Sequence, residues 1–361
     1  MGEIINVTES FLPPIQEFVK HIQRAYENRW LTNRGELVIE LEEKLKNYLK
    51  LSKTSILCVN NGTFPIQVAL KLFGNGGEII TTPFSYIATT SAILWENCLP
   101  VFVDIHPNYL TIDETKIEHA ITTRTTCILA THVFGNICNV EAIEKIANKY
   151  NLKVIYDAAH CFGVNYKGRS IFEYGDISTC SFHATKLFHT AEGGAIFSKK
   201  EEMKKIFLLH NFGHSGPGEI QDIGVNGKLS EIQAAMGLSV LPYMSQIIKK
   251  RKEIHEQYMH LLSFKTYRTI LIREFCNWNF SYFPIIFENE KQLIRVFENL
   301  KRENIFVRRY FRPSLNTLSF SKRQTCEISE GISDRVLSLP ISHKLEYQDL
   351  CRIVNIIDGA N

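Results

Sequence analysis

The sequence predicts an α/β protein: a large, mostly parallel sheet covered by helices, followed by a smaller C-terminal α/β domain. Three observations carry that expectation. Short β-branched runs alternate with helical stretches from Ile56 onward, and those runs are apolar on both faces. After a long helical region the same alternation restarts on a smaller scale near residue 281.

The elements follow in order. Pro13 and Pro14 precede a helix over 15–26, with Ile15, Phe18, Val19 and Ile22 at helical spacing. Turn chemistry at 33–35 leads to a second helix presenting Leu37, Leu41, Leu45 and Tyr48 on one face. Strands are then expected over 56–59, 78–82, 100–104, 127–132 and 153–157, separated by helices over 63–73, 85–95, 113–121 and 140–150. A helical region spans 230–263. Beyond it come a strand at 281–287, a helix at 290–302, a strand at 305–310 and a helix at 346–358. The break near 242–250 divides the chain into a large domain, 1–245, and a small one, 246–361. A length of 361 residues suits two domains at about 150 residues each.

Composition excludes several classes. The chain is 45% apolar and 22% charged with a net charge of +3, an ordinary globular balance. Its densest basic run, Lys249 to Lys252, reads as the exposed face of a helix, so nucleic acid is not expected as a partner. Nine scattered cysteines without a paired or metal-ligand spacing read as free core thiols, with no metal site. No apolar run approaches the 18 or so residues that span a bilayer, and the first ten residues lack a leader pattern. A cytoplasmic protein is expected.

Three strand ends are chemically marked, and ligands of parallel sheets bind beyond such ends. At NNGTFPIQVAL, a strand and glycine turn open a helix with Pro65 in its first turn, a phosphate cradle or simply a well-capped helix. At KVIYDAAH, Asp157 closes an apolar strand and needs a partner, either a cationic ring nitrogen or a helix N-terminus. His160, three residues on, reads by itself as a core histidine. In SFHATKLFHTAEGG, Lys186 stands among aromatic residues, an odd place for a solvated charge. A lysine amine, an aspartate and a phosphate cradle at neighbouring strand ends are what pyridoxal phosphate requires.

The chain also resembles the DegT/DnrJ/EryC1/StrS sugar aminotransferases, through NNGTFPIQVAL, GGEIITTPFSYIATTSAI, PVFVDI, THVFGN, YDAAHCFGV, SFHATKLFHTAEGGAIF, GVNGKLSEIQAAMG and VRRYFRPSLNTL, in family order over nearly the whole length. The resemblance implies fold type I of the pyridoxal-phosphate enzymes, the aspartate aminotransferase-like architecture with a mostly parallel seven-stranded sheet. It implies Lys186 as the imine-forming lysine and Asp157 as partner of the ring nitrogen. It places His160 near the cofactor's hydroxyl, Gly62, Thr63 and Ser181 at its phosphate, and Tyr86 on its pyridine face. Asn226 would reach the cofactor phosphate of a neighbouring subunit, which requires a homodimer with shared active sites. The sequence departs from the family's commoner pattern at HATK, which keeps the lysine but bears on the substrate pocket.

One branch of the family carries His where Lys186 stands and removes a sugar hydroxyl; the lysine argues for transamination. The likeness at NRWLTNRGEL and RRYFRPSLNTL implies amination of C4 of dTDP-4-keto-6-deoxyglucose with L-glutamate as donor, giving dTDP-4-amino-4,6-dideoxyglucose for surface polysaccharide or O-antigen. Thr32, Asn33, His183, Arg308, Arg309 and Tyr310 are the candidate substrate contacts. For each arginine taken alone, a basic strand end beside solvent is an equal reading. The alternatives are a 3-keto-sugar or UDP-sugar aminotransferase of the same family, a pyridoxal-phosphate dehydratase or other lyase, and a cofactor-binding regulator. No DNA-binding appendage supports the last.

Overall fold

The computed structural model describes residues 4–321 and 323–359. Met1 to Glu3, part of the stretch read for a leader, lie outside the described residues. Seven strands form the central sheet: β1 (Ser55–Val59), β2 (Glu78–Thr81), β3 (Leu99–Phe102), β4 (Thr125–Thr131), β5 (Lys153–Asp157), β6 (Ile177–Ser181) and β7 (Gly194–Ser198). Their spatial order is β1-β7-β6-β5-β4-β2-β3, and all neighbours run parallel except β7, which is antiparallel to both β1 and β6. The first five match the expected runs to within a few residues. In β6, ISTCS carries too little apolar character to announce a strand.

Helices α1 (Ile15–Glu27) and α2 (Glu36–Tyr48) precede the sheet, and α3 (Phe64–Phe73), α4 (Ile87–Trp95), α5 (Glu114–Ile117), α6 (Val140–Tyr150) and α7 (Lys200–His210) connect or follow its strands. The helix expected over 113–121 is only α5 plus a 3₁₀ turn, Glu118–Ala120. Asp113 caps it by accepting a hydrogen bond from the Thr115 N–H. The helical region expected over 230–263 is broken at Pro242. A 3₁₀ turn, Leu241–Tyr243, separates α8 (Glu231–Val240) from α9 (Met244–Leu261). Ser230 and Gln233 close a capping box that starts α8.

Helix α9 spans two apolar cores. Its start, Met244 and Ile247, packs with Leu41, Ile128, Tyr156 and Phe182 beneath the sheet. Its later turns, Ile254 and Tyr258, pack with a three-stranded antiparallel sheet, β8 (Tyr267–Thr269), β9 (Phe283–Phe287) and β10 (Val336–Leu339), and with α10 (Glu290–Arg302) and α12 (Tyr347–Gly359). Helix α11 (Glu327–Ser333) leads into β10. The N-terminal pair Ile5–Asn6 joins this second group by pairing with Ile305–Phe306. The strand expected over 305–310 is therefore two residues long, followed by an isolated bridge at Arg308 to Ser338. Seven of the nine cysteines are buried, and all nine are unpaired, as expected of core thiols.

Arg251 corrects one expectation. The run Lys249 to Lys252 was expected on an exposed face, but Arg251 is 3% exposed. In α9 it follows Ile247 by one turn and points inward, donating to the Ser281 carbonyl at 3.0 Å. Its neighbours Lys249 and Lys252 remain exposed.

Candidate active site

Strand register assembles the site. In the parallel ladders Asp157 lies opposite Thr131 on one side and Thr179 on the other. Two residues past Thr179, Ser181 lies opposite Gly194, which lies opposite Val59 on its other side. The stretches that follow these strands, Asn60 to Thr63, Ala158 to His160 and Phe182 to Lys186, therefore meet at one edge of the sheet. They line a cavity of about 330 Å³, completed by Ser85 and Tyr86 from the segment before α4, by Tyr282 immediately before β9 and by Tyr310 and Phe311 from the loop before α11.

Asp157 is 5% exposed. Its carboxylate accepts hydrogen bonds from the Thr89 hydroxyl at 2.9 Å and the Ala159 N–H at 3.2 Å, and has no ion pair among the described residues. Burial pushes its carboxyl above the ordinary range, while those two bonds and the Lys186 ammonium pull the other way. Such a group is completed by a cationic hydrogen-bond donor arriving in the cavity.

His160 is neutral, because burial and the Lys186 ammonium push its imidazole well below the usual range. Its Nδ1 accepts from the Phe134 N–H at 3.1 Å, so the ring proton sits on Nε2. Phe134 reaches that position with a positive φ of 58°, a conformation that costs a non-glycine residue about 1–2 kcal/mol. Its carbonyl is held by the Trp278 indole N–H at 2.9 Å.

At Gly62 an added Cβ would stand 2.6 Å from the Ser181 Cβ and 2.8 Å from its hydroxyl. Glycine thus lets the turn before α3 close onto Ser181, bringing the Thr63 and Ser181 hydroxyls to the same cavity. The Asn61 side chain accepts from the Thr63 and Phe64 N–H groups, both at 2.9 Å, and opens the helix.

Lys186 reaches the cavity on a turn closed by its own N–H to the His183 carbonyl at 2.8 Å. Its Nζ lies 3.4 Å from the Tyr282 hydroxyl. Burial disfavours the ammonium, but Tyr282, the Asp157 carboxylate and Tyr310 outweigh it and hold the amine above its ordinary range. At the rim, His183 Nδ1 accepts from the Thr185 N–H at 3.2 Å, and its Nε2 lies 3.6 Å from a Glu192 carboxylate oxygen. Tyr86 is 60% exposed there.

Not every candidate lies in this cavity. Thr32 and Asn33 are exposed on the loop before α2, and Arg308 is exposed beside the small sheet. Arg309 is held by Glu290 at 2.8 Å and by the Asp334 carbonyl at 2.8 Å, which ties down the loop and turns its guanidinium from the cavity. Asn226 is exposed beside Asn60, whose amide donates to its carbonyl at 3.3 Å, and its side chain is outside the cavity of its own chain. Sequence reasoning did not single out Thr89, Tyr282 or Arg251.

A carboxylate awaiting a cation, a neutral histidine donor, hydroxyls around a glycine turn and a lysine amine are a donor set that fits pyridoxal phosphate. Asp157 would face its ring nitrogen, His160 Nε2 its phenolic oxygen, Gly62, Thr63 and Ser181 its phosphate, and Lys186 its aldehyde. Fold and site together define a pyridoxal-phosphate-dependent sugar aminotransferase. A model of the DegT/DnrJ/EryC1/StrS aminotransferase family matches residues 14–358, and the chain belongs to that family. A dTDP-4-amino-4,6-dideoxy-D-glucose transaminase of Shigella dysenteriae is 42% identical over 365 residues, covering 99% of each chain. One of Escherichia coli with the same name is 39% identical over 368 residues, covering 98% of each. Among solved structures, DesI in the presence of its TDP-sugar product superposes with a TM-score of 0.93 at 28% identity, covering 100% of this chain and 94% of that one. Helicobacter pylori PseC, an aminotransferase involved in pseudaminic acid biosynthesis, superposes with a TM-score of 0.90 at 25% identity, covering 99% of each. Among the described residues no helix is long and apolar enough to cross a membrane.

Proposed function

We propose that the protein moves the amino group of L-glutamate to C4 of dTDP-4-keto-6-deoxyglucose, giving dTDP-4-amino-4,6-dideoxyglucose for a surface polysaccharide such as O-antigen. The observation that carries this reading is the cavity shared by Lys186 and Asp157, in a chain 42% identical end to end to a transaminase named for that product. Pyridoxal phosphate, when bound, supplies an electron sink that lets a proton leave carbon. The protein's residues do the rest. Lys186 Nζ would hold the cofactor through its aldehyde, and as a free amine it would carry the proton taken from the amino donor's α-carbon. Asp157 would keep the ring nitrogen protonated, and His160 Nε2–H would donate to the phenolic oxygen. Tyr86 would cover the ring face, while His183 and Tyr310, which line the same cavity, would offer polar atoms to the sugar.

The assembly we assign is a homodimer. Asn226 lies outside its own cavity, beside exposed apolar side chains (Ile220 69%, Ile223 82%, Val225 54% exposed) that a second copy would cover. From there it would meet the phosphate in the partner's site. Thr32, Asn33 and Arg308 are left as candidates for sugar-nucleotide recognition at that junction. We assign the cytoplasm, in keeping with the unpaired thiols, and a division into domains 1–245 and 246–361.

Incubation with L-glutamate and a panel of dTDP- and UDP-linked keto sugars, followed by NMR of the products, tests the reading. Amination at C4 of the dTDP sugar is expected. Amination of only a 3-keto or UDP sugar would refute the substrate and keep the enzyme class. Turnover without glutamate would favour the lyase.

A further inference from the structure

The segment Trp278–Tyr282 enters the site from the small domain and is clamped there. The Asn279 amide donates to the His160 carbonyl at 2.8 Å and to the Phe162 carbonyl at 2.9 Å. The Ser281 N–H returns to Asn279 Oδ1 at 3.2 Å, and its hydroxyl donates to the His160 carbonyl at 3.3 Å. Arg251 holds the Ser281 carbonyl from the other side. This guanidinium is buried, has no ion pair among the described residues, and leaves its Nε without a hydrogen-bond partner. A buried charge without a counter-ion is costly. This one fixes the backbone one residue before Tyr282, beside a hole of about 10 Å³ that borders Lys186 as well. The Tyr282 ring is fixed in turn by His160, with centroids 4.6 Å apart, by Phe134 at 5.4 Å and by Tyr310 at 6.0 Å.

All this rigidity ends on one hydroxyl, 3.4 Å from Lys186 Nζ. A lysine side chain set free in a cavity of about 330 Å³ would otherwise spread over many rotamers. We propose that Tyr282 is the positioning residue for the catalytic amine. Its hydroxyl receives Lys186 Nζ whenever that amine is not bonded to the cofactor, and holds it between Asp157 and His160 for proton transfer and for re-bonding. The inference rests on Lys186 being the cofactor-bonding amine. It makes the small domain part of the lysine's machinery, so that docking of the Trp278–Tyr282 segment and readiness of the amine are one event.

The test uses the full-length protein freed of cofactor. The titratable groups facing the amine are Tyr282 and Tyr310 from the small domain, Asp157 and His160 after β5, and Cys180 in β6, with Tyr86 and the His183–Glu192 pair at the rim. Lys186 acylation is followed by mass spectrometry across pH in wild type and in Tyr282→Phe, which keeps the ring. Loss of the hydroxyl removes a partner that favours the ammonium, so the labelling midpoint shifts to lower pH and Lys186 labels faster at neutral pH. In wild type, a short amine-to-phenol cross-linker joins Lys186 to Tyr282 without cofactor and fails once the cofactor is bound. This second measurement does not depend on the variant folding. An unmoved midpoint, or no such cross-link, overturns the inference. Borohydride reduction of the loaded protein separates the two levels: cofactor fixed to a lysine other than Lys186 overturns the underlying reading along with it.

Discussion

The Thr89 hydroxyl donates a 2.9 Å hydrogen bond to Asp157 Oδ2, joining the first turn of α4 to the end of β5. Thr89 is itself tied through Ser85, at 2.9 Å, to Thr131 at 3.1 Å, so a chain of hydroxyls runs behind the carboxylate. Burial raises the Asp157 carboxyl, and the Thr89 hydroxyl is the largest pull in the other direction.

Thr89→Val keeps the volume and removes that donor. A hydrogen bond to a charged group contributes about 1.5–3 kcal/mol, so pyridoxal phosphate should bind roughly tenfold more weakly or worse. An absorbance titration of cofactor into the cofactor-free protein measures this. Unchanged affinity would show that Thr89 does not support Asp157.

Glu231 supports the scaffold. Its carboxylate is 1% exposed and accepts from the Leu37 N–H at 2.8 Å and the Val38 N–H at 3.1 Å, capping α2 from the start of α8. Glu231→Ala leaves two buried donors unpaired and a small void, at a cost of about 3 kcal/mol. The urea midpoint should fall with its slope unchanged, as long as unfolding stays two-state.

Burial, with a smaller push from Arg273, drives the His132 imidazole down to about 3. Burial likewise takes those of His210 and His255 to about 4. Unfolded, each returns to about 6.5. Between those values the unfolded chain binds more protons than the folded one, so stability rises with pH across that window. The histidine contribution is full above about pH 6.5 and drains away as pH falls toward 4. Melting temperature should decline across that range, and His210→Gln should flatten part of the slope. A level profile would contradict these burials.

Much of the site was legible because its residues follow strands in sequence. Asp157 and Gly62 each stand where a β-branched run gives way to small residues or a turn, Lys186 stands out as a lone cation among aromatic residues, and the sheet delivers all three to one edge. Tyr282 was not legible. It lies 96 residues from Lys186 and begins an apolar run that reads as an ordinary strand. Arg251 was hidden in a basic run, since composition does not say which of four consecutive cations faces inward; the register set by Ile247 and Ile254 does. The arginine pair after β9 misled in part because Arg309 found acidic partners on α10 and after α11, a long-range pairing that no local pattern announces. Asn226 stood out through its motif, and its side chain stands outside the cavity of its own chain.

The central claim, that Lys186 runs a glutamate-fed transamination, is tested most directly by a half-reaction. Cofactor-loaded protein is mixed with L-glutamate without any sugar, and 2-oxoglutarate is measured against the change in cofactor absorbance, in wild type and in Lys186→Ala. Wild type should release 2-oxoglutarate stoichiometric with sites and stop there, while Lys186→Ala should release none at a comparable rate. Release of ammonia without 2-oxoglutarate, or an undiminished half-reaction in Lys186→Ala, would contradict it.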